Sequence, residues 1–154
     1  TGDDGVPPEL GAIVLDDRAG APRTLEDFAS VGGFMAAYAA ARGIPDCPPT
    51  DIFQRAAAGD GAARAAIDTV CRRIAQGLGI LINALNLQAC LIGGGIAQAG
   101  TPLLDAVNRH VPDFTWPFLL KRTRVALAET GEDAGILGAA WLAFDRVGRA
   151  SLQR

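Results

Sequence analysis

Three consecutive glycines, Gly93-Gly94-Gly95, follow an apolar run and are the residues of this chain best suited to binding a ligand. Because glycine has no Cβ, the backbone here can come within hydrogen-bonding distance of a ligand at the carboxyl edge of a strand. In α/β folds this edge is where nucleotides bind. The turn therefore predicts a nucleotide contact. The alternative is a crowded strand-to-helix turn that holds no ligand.

Two other phosphate-binding motifs do not fit this turn. A dinucleotide fingerprint, G-x-G-x-x-G, would need glycine at position 98, where the sequence has Gln98. That fingerprint also sits near the start of its domain, whereas only about sixty residues follow the glycines here. A Walker loop is excluded because no Gly-Lys-Ser or Gly-Lys-Thr follows.

A second glycine-rich segment begins at Gly131 and continues into a helix with small residues on one face. These small residues are Ala134, Gly135, Gly138 and Ala139. Small side chains let a helix lie very close to another backbone, so the segment predicts close packing. A purely structural contact would explain it as well as a ligand site.

The elements around these turns predict an α/β domain whose parallel strands are joined by right-handed crossovers. Apolar residues at three- and four-residue steps over 63–82 indicate a long helix. The run 88–92 indicates a strand that is buried on both faces. The other predicted elements are a strand over 10–15, a helix capped by Thr24 that runs to Arg42, a short helix over 51–58 capped by Thr50, a helix over 101–110 capped by Thr101, a strand over 124–128 and a last helix over 134–147.

Composition and charge exclude several classes of protein. The 154 residues suit one domain with a real core, and a net charge of −3 gives no basic field for a nucleic acid. The least charged stretch, 77–100, contains polar residues and glycines, so a membrane span is not expected. Residues 1–8 contain no charged-then-apolar signal segment, and we expect a cytoplasmic protein.

Three other sets of residues have structural interpretations. Cys47, Cys71 and Cys90 lack the spacing of a zinc site and are predicted to be reduced, buried thiols. His110 is predicted to be a helix-end surface residue rather than a catalytic one. Trp116 and Phe118 are expected either to anchor a loop onto the core or to line a partner surface.

Together, the long helix and the two glycine-rich segments resemble the carboxyl-terminal region of the repressor/open-reading-frame/kinase family. In that family a long helix, a strand ending in a GGG turn, a helix, a strand and an AGLLGAA helix recur in this order. Here the sequence reads NALNLQACLIGGGIAQ over 83–98 and DAGILGAA over 133–140, and the resemblance covers nearly the whole chain. It implies the α/β carboxyl-terminal lobe of the actin-like ATPase (ribonuclease H-like) fold, a parallel or mixed sheet flanked by helices. Residues 1–154 would form this lobe as one domain of a larger, two-lobed kinase.

The resemblance extends upstream to two glutamates. The segment PELGA over 8–12 is similar to the family's GE-x-GH, and TLEDFAS over 24–30 is similar to its C-x-E-x-x-x-S. Both family segments supply glutamates that hold sugar hydroxyls, so the resemblance implies that Glu9 and Glu26 are sugar ligands. A carboxylate suits this role because it can accept two hydroxyl hydrogen bonds. Without the resemblance, Glu26 would be an acid in the first turn of a helix and Glu9 a solvated loop acid.

This chain departs from the family pattern at two places. Ala12 stands where the family has a histidine, which removes one sugar contact and one zinc ligand. Residues 13–25 contain no cysteine, so the family's cysteine cluster is also absent. We therefore predict no structural zinc and no other bound metal site in this chain.

The family's catalytic aspartate and first phosphate loop lie in D-x-G-G-T and N-D patterns that do not occur here. We therefore expect no catalytic residue in this chain and no activity from it in isolation. The resemblance implies a glucokinase-like, ATP-dependent hexose kinase that uses Mg²⁺, with Gly93, Gly94, Gly95 and Gly131 contacting the nucleotide. The phosphoryl donor is left open between ATP and polyphosphate, and the expected partners are a hexose, an amino-terminal lobe and a second copy in a homodimer.

Two alternatives remain at this point. The chain could be the effector-binding domain of a sugar-responsive transcriptional repressor of the same family, with its DNA-binding helices upstream. It could also be a structural domain that has lost ligand binding, which Ala12 would favour.

Overall fold

Short strands and a set of helices surround one long helix. The computed structural model describes residues 9–18 and 20–152. The strands within them are β1 (Val14–Asp16), β2 (Arg23–Thr24), β3 (Ala89–Ile92) and β4 (Arg124–Leu127). The helices are α1 (Leu25–Ala29), α2 (Val31–Arg42), α3 (Pro49–Ala57), α4 (Gly61–Leu85), α5 (Thr101–Phe114), α6 (Pro117–Leu120) and α7 (Ala134–Leu152). Short 3-10 turns lie at Leu10–Ala12, Gly95–Ala99 and Gly131–Asp133.

Helix α4 forms the core because one of its faces is apolar along its whole length, which confirms the predicted long helix. It packs against α1, α2, α3 and α5. Its main buried residues are Ile67, Val70, Cys71, Ile74, Leu78 and Ile82. Burying a large aliphatic side chain stabilises the fold by about 1.5–3 kcal/mol, so this face is the main source of cohesion.

The start of α4 is fixed by Asp60. Its Oδ1 accepts the N–H groups of Ala62 at 2.9 Å and Ala63 at 3.3 Å, which is a helix N-cap. Its Oδ2 accepts the hydroxyl of the fully buried Tyr38 at 2.9 Å, and this bond keeps the pKa of Asp60 below its usual value. The same carboxylate therefore caps α4 and ties it to α2.

Strands β3 and β4 pair in parallel, with Cys90 opposite Val125 and Ile92 opposite Leu127. The predicted strand is confirmed, but its burial on both faces is wrong. Cys90 and Ile92 are buried, whereas Leu91 is 67% exposed. Helix α5 packs on β4, and Cys90 and Ile92 belong to the same core as the buried face of α4, whereas Leu91 lies on the exposed face of the pair.

The segment predicted as a strand over 10–15 begins as a 3-10 turn instead. The Glu9 side chain caps this turn by accepting the N–H of Gly11 at 3.1 Å. The strand is confined to β1, where Val14 pairs with Thr24 of β2 in antiparallel register.

The helix predicted from Thr24 to Arg42 is two helices. The Thr24 cap is confirmed, since Thr24 and Asp27 form a reciprocal capping box at the start of α1. The chain then bends at Ser30, whose backbone is extended and whose Oγ accepts the N–H of Gly33 at 3.2 Å to start α2. Gly33 lies directly against the carbonyl of Phe28, at the end of α1, and a Cβ there would overlap it.

Two other predicted helix caps are wrong. Helix α3 begins at Pro49 and α5 begins at Thr101, and the hydroxyls of Thr50 and Thr101 cap neither helix. Helix α5 also continues through Pro112 to Phe114. Proline here cannot donate to the carbonyl four residues earlier and its ring crowds that carbonyl, and the helix ends two residues later.

Helix α7 leaves its small-residue face open at Gly135 and Gly138. A Cβ added to either glycine would meet nothing within 4 Å outside its own stretch of the helix, so these two positions have no close partner among the described residues. The side chain of Ala134, which the prediction also included, lies outside the described residues. The helix also exposes large apolar side chains, those of Ile136, Leu137, Trp141, Leu142 and Phe144. Even so, among the described residues no helix has the length and apolarity needed to cross a bilayer.

Candidate functional site

Glu9 and Glu26 lie on either side of Gly11. A Cβ on Gly11 would be 3.0 Å from Glu9 Oε1 and 3.5 Å from Glu26 Oε2. Both glutamates are exposed, so their remaining oxygen lone pairs face solvent. The fold therefore places side by side the two carboxylates that the sequence predicted as sugar ligands.

Helix α1 is set against α4 at one close contact. The Leu25 N–H donates to the Ile13 carbonyl at 2.8 Å, which joins α1 to the hairpin formed by β1 and β2. The Leu25 side chain then lies on Gly77 of α4, where a Cβ would be only 2.8 Å from Leu25 Cδ2. Glycine at position 77 thus lets α1, and with it Glu26, approach the helix that forms the floor of the site.

A cavity of about 370 Å³ opens between these elements. It is lined by Glu9, Leu10, Gly11, Leu25, Glu26, Ala29, Ile74, Leu78, Leu91, Ile92, Gly93 and Ile96. The floor is apolar and two carboxylates stand at the rim, a combination suited to a small ligand that has both an apolar face and hydroxyl groups. The cavity brings both predicted glutamates together with the first residue of the glycine turn.

The three glycines of the turn have different roles. Gly94 has φ +72° and ψ −166°, a conformation that is essentially restricted to glycine. A Cβ on Gly93 would lie 3.5 Å from Ala128 Cβ, an ordinary contact, and a Cβ on Gly95 would meet nothing within 4 Å. Only Gly94 is therefore required by the backbone, whereas Gly95 borders open space.

The turn also presents hydrogen-bond donors. Within the described part of the chain, the N–H groups of Gly94, Gly95 and Ile96 donate to no backbone or side-chain acceptor. Successive free N–H groups of this kind favour an anion such as a phosphate.

The turn at Gly131–Asp133 packs against the Gly95–Ala99 turn. Gly131 itself has φ +55°, the left-handed conformation. The two glycine-rich segments are therefore neighbours, and the nucleotide contact of Gly131 stays a prediction.

A larger groove of about 580 Å³ lies between α3, α4 and α5. Its lining includes Phe53, Ile67, Ala106 and the arginines Arg64 and Arg109. We place the candidate site in the smaller cavity, because the predicted glutamates and the glycine turn converge there and none of them lines the larger groove.

His110 was predicted to be a surface residue, and this prediction is wrong. Its side chain is 14% exposed, and its Nε2 lies 2.8 Å from Asp68 Oδ1. The reason is that α5 packs along α4, so even a late position on α5 faces α4.

The predictions for the three cysteines and for Trp116 and Phe118 have different outcomes. All three cysteines are buried and free, as predicted, and burial raises the pKa of Cys71 to about 12, which keeps this thiol protonated. Trp116 and Phe118 are 60% and 55% exposed, so the loop-anchoring interpretation is wrong and the partner surface stays a prediction. In the described residues no group of three or more His, Cys, Asp or Glu side chains could hold a metal ion.

One cluster beside the site was missed by the sequence analysis. Asp16 accepts hydrogen bonds from Arg18 at 2.7 Å and from Arg73 of α4 at 3.1 Å. Arg18, with a smaller contribution from Arg73, holds the pKa of the Asp16 carboxyl well below its usual range. In the sequence Arg73 is one polar residue among several on the outer face of a helix, and no signal there distinguishes it.

Relatives of the chain are named sugar kinases. The glucokinase of Thermotoga maritima is 29% identical over 166 residues, which cover 96% of this chain and 52% of the relative. The N-acetylmannosamine kinase of Pasteurella multocida is 32% identical over 123 residues, covering 73% of this chain and 39% of the relative. The chain therefore spans about half or less of the length of these curated relatives.

Solved structures share the fold. A ROK family protein from Streptococcus pneumoniae in complex with sucrose has a TM-score of 0.79 and 25% identity, covering 94% of this chain and 51% of that chain. A ROK family glucokinase from Streptomyces griseus in complex with glucose and AMPPNP has a TM-score of 0.74 and 23% identity, covering 90% and 51%. A ROK family transcriptional regulator, a homologue of E. coli MLC, has a TM-score of 0.65 and 25% identity, covering 77% and 34%.

These likenesses confirm the predicted α/β, actin-like ATPase fold. The sequence model of the ROK family matches residues 1–146, nearly the whole chain, which confirms the resemblance found in the sequence. The chain belongs to the ROK family.

Proposed function

We propose that the intact protein is an ATP-dependent hexose kinase of the glucokinase type, and that residues 1–154 form its carboxyl-terminal lobe as one domain. The observation that carries this proposal is the convergence of Glu9, Glu26 and Gly93 on one cavity. The names of the curated relatives, both kinases of a sugar, support the same reaction class.

In this proposal the two glutamates bind and orient the sugar. Each carboxylate accepts hydrogen bonds from sugar hydroxyls, while Ile74, Leu78 and Ile92 contact the apolar face of the ring. Glu9 already accepts the N–H of Gly11, so this bond holds its carboxylate in place. Fixing the sugar lowers the entropic part of the barrier to phosphoryl transfer.

The glycine turn serves the nucleotide. The free N–H groups of Gly94, Gly95 and Ile96 can donate to phosphate oxygens, and the Gly131 turn packs against the same loop. We assign ATP as the donor, with polyphosphate as the alternative. Mg²⁺ is part of the proposed reaction, but the described residues offer no acidic cluster to hold it.

The remaining machinery is assigned to an amino-terminal lobe. This lobe would supply the aspartate that accepts the hydroxyl proton, so residues 1–154 alone are inactive in this proposal. The exposed apolar side chains of α7 and the exposed face of β3 at Leu91 are surfaces that such a lobe would cover. We also propose that the intact protein is a homodimer.

The test is an assay of ADP release by the intact protein with ATP and a panel of sugars. Glucose, N-acetylmannosamine, fructose and a blank without sugar would be compared, with polyphosphate replacing ATP in a parallel series that measures the sugar phosphate formed. We expect sugar-dependent release of ADP, fastest with glucose. Absence of sugar phosphate with every hexose and both donors would contradict the proposal.

A prediction for the glycine turn follows from its geometry. Gly95→Val should weaken AMPPNP binding by tenfold or more on calorimetric titration, because the new side chain fills space beside the free N–H groups, with stability changed by only about 0.5 kcal/mol. Gly94→Val should weaken binding and also destabilise the protein by about 1–3 kcal/mol, because valine cannot adopt φ +72° without strain. Gly61→Val, at an equally open glycine, is the control. If Gly95→Val binds AMPPNP like Gly61→Val, the turn does not contact the nucleotide.

The alternative is a sugar-responsive transcriptional regulator, which the likeness to the ROK family regulator favours. In that case the intact protein would bind a hexose at the same two glutamates but release no ADP. Sugar binding by calorimetry, measured beside the kinase assay, separates these two functions.

A further inference from the structure

Arg73 of α4 connects the two segments that carry Glu9 and Glu26. Its Nη2 donates to Asp16 Oδ2 at 3.1 Å, at the end of β1. Its guanidinium carbon lies 4.6 Å from the centroid of the Phe28 ring, two residues after Glu26 in α1. The side chains of Arg73 and Asp16 are 23% and 17% exposed, so this contact is largely shielded from water.

Further contacts fix the Phe28 ring and the guanidinium group of Arg73. Arg23 of β2 also stacks on the Phe28 ring, at 4.0 Å from the centroid. A second guanidinium nitrogen of Arg73, Nη1, donates to Gln76 Oε1 at 3.0 Å, which fixes the group along α4. A stacked and hydrogen-bonded guanidinium of this kind holds one orientation.

The segments on which Arg73 acts cannot hold their own positions. Helix α1 has five residues, and the strands β1 and β2 have three and two. A single helical turn and a two-stranded hairpin of this length are not stable alone in water. Their placement must therefore come from contacts with longer elements. Helix α2 lies against the end of α1 at Gly33, and α4 contacts α1 and β1 through Arg73 and Gly77.

We propose that Arg73 is a positioning residue that sets the relative placement of the two sugar-binding carboxylates, an inference that rests on the proposed function. Arg73 does not line the cavity, and it acts through Asp16 and Phe28. Its loss leaves the chemistry of both glutamates unchanged but releases the segments that carry them.

The test is Arg73→Met in the intact protein, with Arg72→Met as a matched control. Arg72 is the neighbouring arginine of α4, and it too pairs with an aspartate, Asp113, and lies over a phenylalanine, Phe114, at 4.8 Å. We expect Arg73→Met to raise KM for the sugar about tenfold, equivalent to ~1.4 kcal/mol, with kcat and KM for ATP within about twofold of the wild type. Arg72→Met should change none of these constants, and Arg73→Lys, which keeps the charge toward Asp16, should restore part of the affinity.

Hydrogen–deuterium exchange of residues 10–28 gives a second readout that needs no activity. Faster exchange in Arg73→Met but not in Arg72→Met is expected. Equal effects of the two variants, unchanged exchange over 10–28, or a parallel loss of sugar and ATP affinity would each overturn the positioning role. A wild-type protein that binds no hexose would overturn the proposed function instead, and the exchange comparison would still decide whether Arg73 fixes this segment.

Discussion

Glu26→Gln in the intact protein is expected to lower kcat/KM for the hexose about a hundredfold, with KM for ATP unchanged. Hydrogen bonds to a charged group contribute about 1.5–3 kcal/mol each, and a loss at the upper end of this range is about a hundredfold in rate. Glutamine has nearly the same shape, but one carboxylate oxygen becomes an amide that donates and cannot accept. The effect should therefore be confined to the sugar, because Glu26 lies beside Gly11 and Glu9 at the proposed sugar site.

The control for this substitution is Asp51→Asn. Glu26 and Asp51 are both exposed acids in the first turn of a helix, α1 and α3 respectively. Each favours its helix through the N-terminal dipole by about 0.3–1 kcal/mol, so both variants lose this contribution. Only Glu26 lines the cavity. If both substitutions change kcat/KM equally, Glu26 has only the structural role that its place in the sequence would indicate.

Gly33→Ala is expected to cost about 3 kcal/mol of folding free energy and so to lower the unfolding temperature. The added Cβ would overlap the carbonyl of Phe28, and its distance to the Phe28 carbonyl carbon would be 2.5 Å. Backbone atoms cannot rotate away as a flexible side chain can, so α1 would have to move away from α2. Thermal unfolding of the intact protein measures this effect.

The adjacent Gly32 provides the control. A Cβ on Gly32 would lie 3.7 Å from Ser30 Oγ, which is ordinary contact, and the residue is exposed. Gly32→Ala should therefore raise stability by up to about 1 kcal/mol, the difference in helix propensity. Destabilisation of similar size at both positions would show that the bend at Ser30 does not depend on the close approach of Gly33.

The sequence was most informative where the signal is local. The apolar period of α4, the strand before the glycines and the Thr24 cap are properties of neighbouring residues, and all three were predicted. The bend at Ser30 was not, because it depends on how α1 and α2 meet. A serine inside an apolar helical pattern gives little sign that a second helix starts there.

At the candidate site, too, the features that depend on long-range packing could not be predicted from the sequence. Gly93, Gly94 and Gly95 are alike in the sequence, and only the backbone angles show that Gly94 alone requires glycine. Arg72 and Arg73 are adjacent on the polar side of one helical pattern, yet one reaches α5 and the other reaches the hairpin. Such differences arise from long-range packing, which a periodic pattern does not contain.

The length of helix α7 makes its position sensitive to the turn from which it starts. It has 19 residues, and at a rise of 1.5 Å per residue it is about 28 Å long. It follows directly on the turn at Gly131, where the backbone is left-handed and no atom lies within 4 Å of a Cβ on the glycine. A rotation of about 10° at this turn would carry the far end of α7 about 5 Å. The turn that packs on the glycine loop therefore also sets the direction of the whole helix.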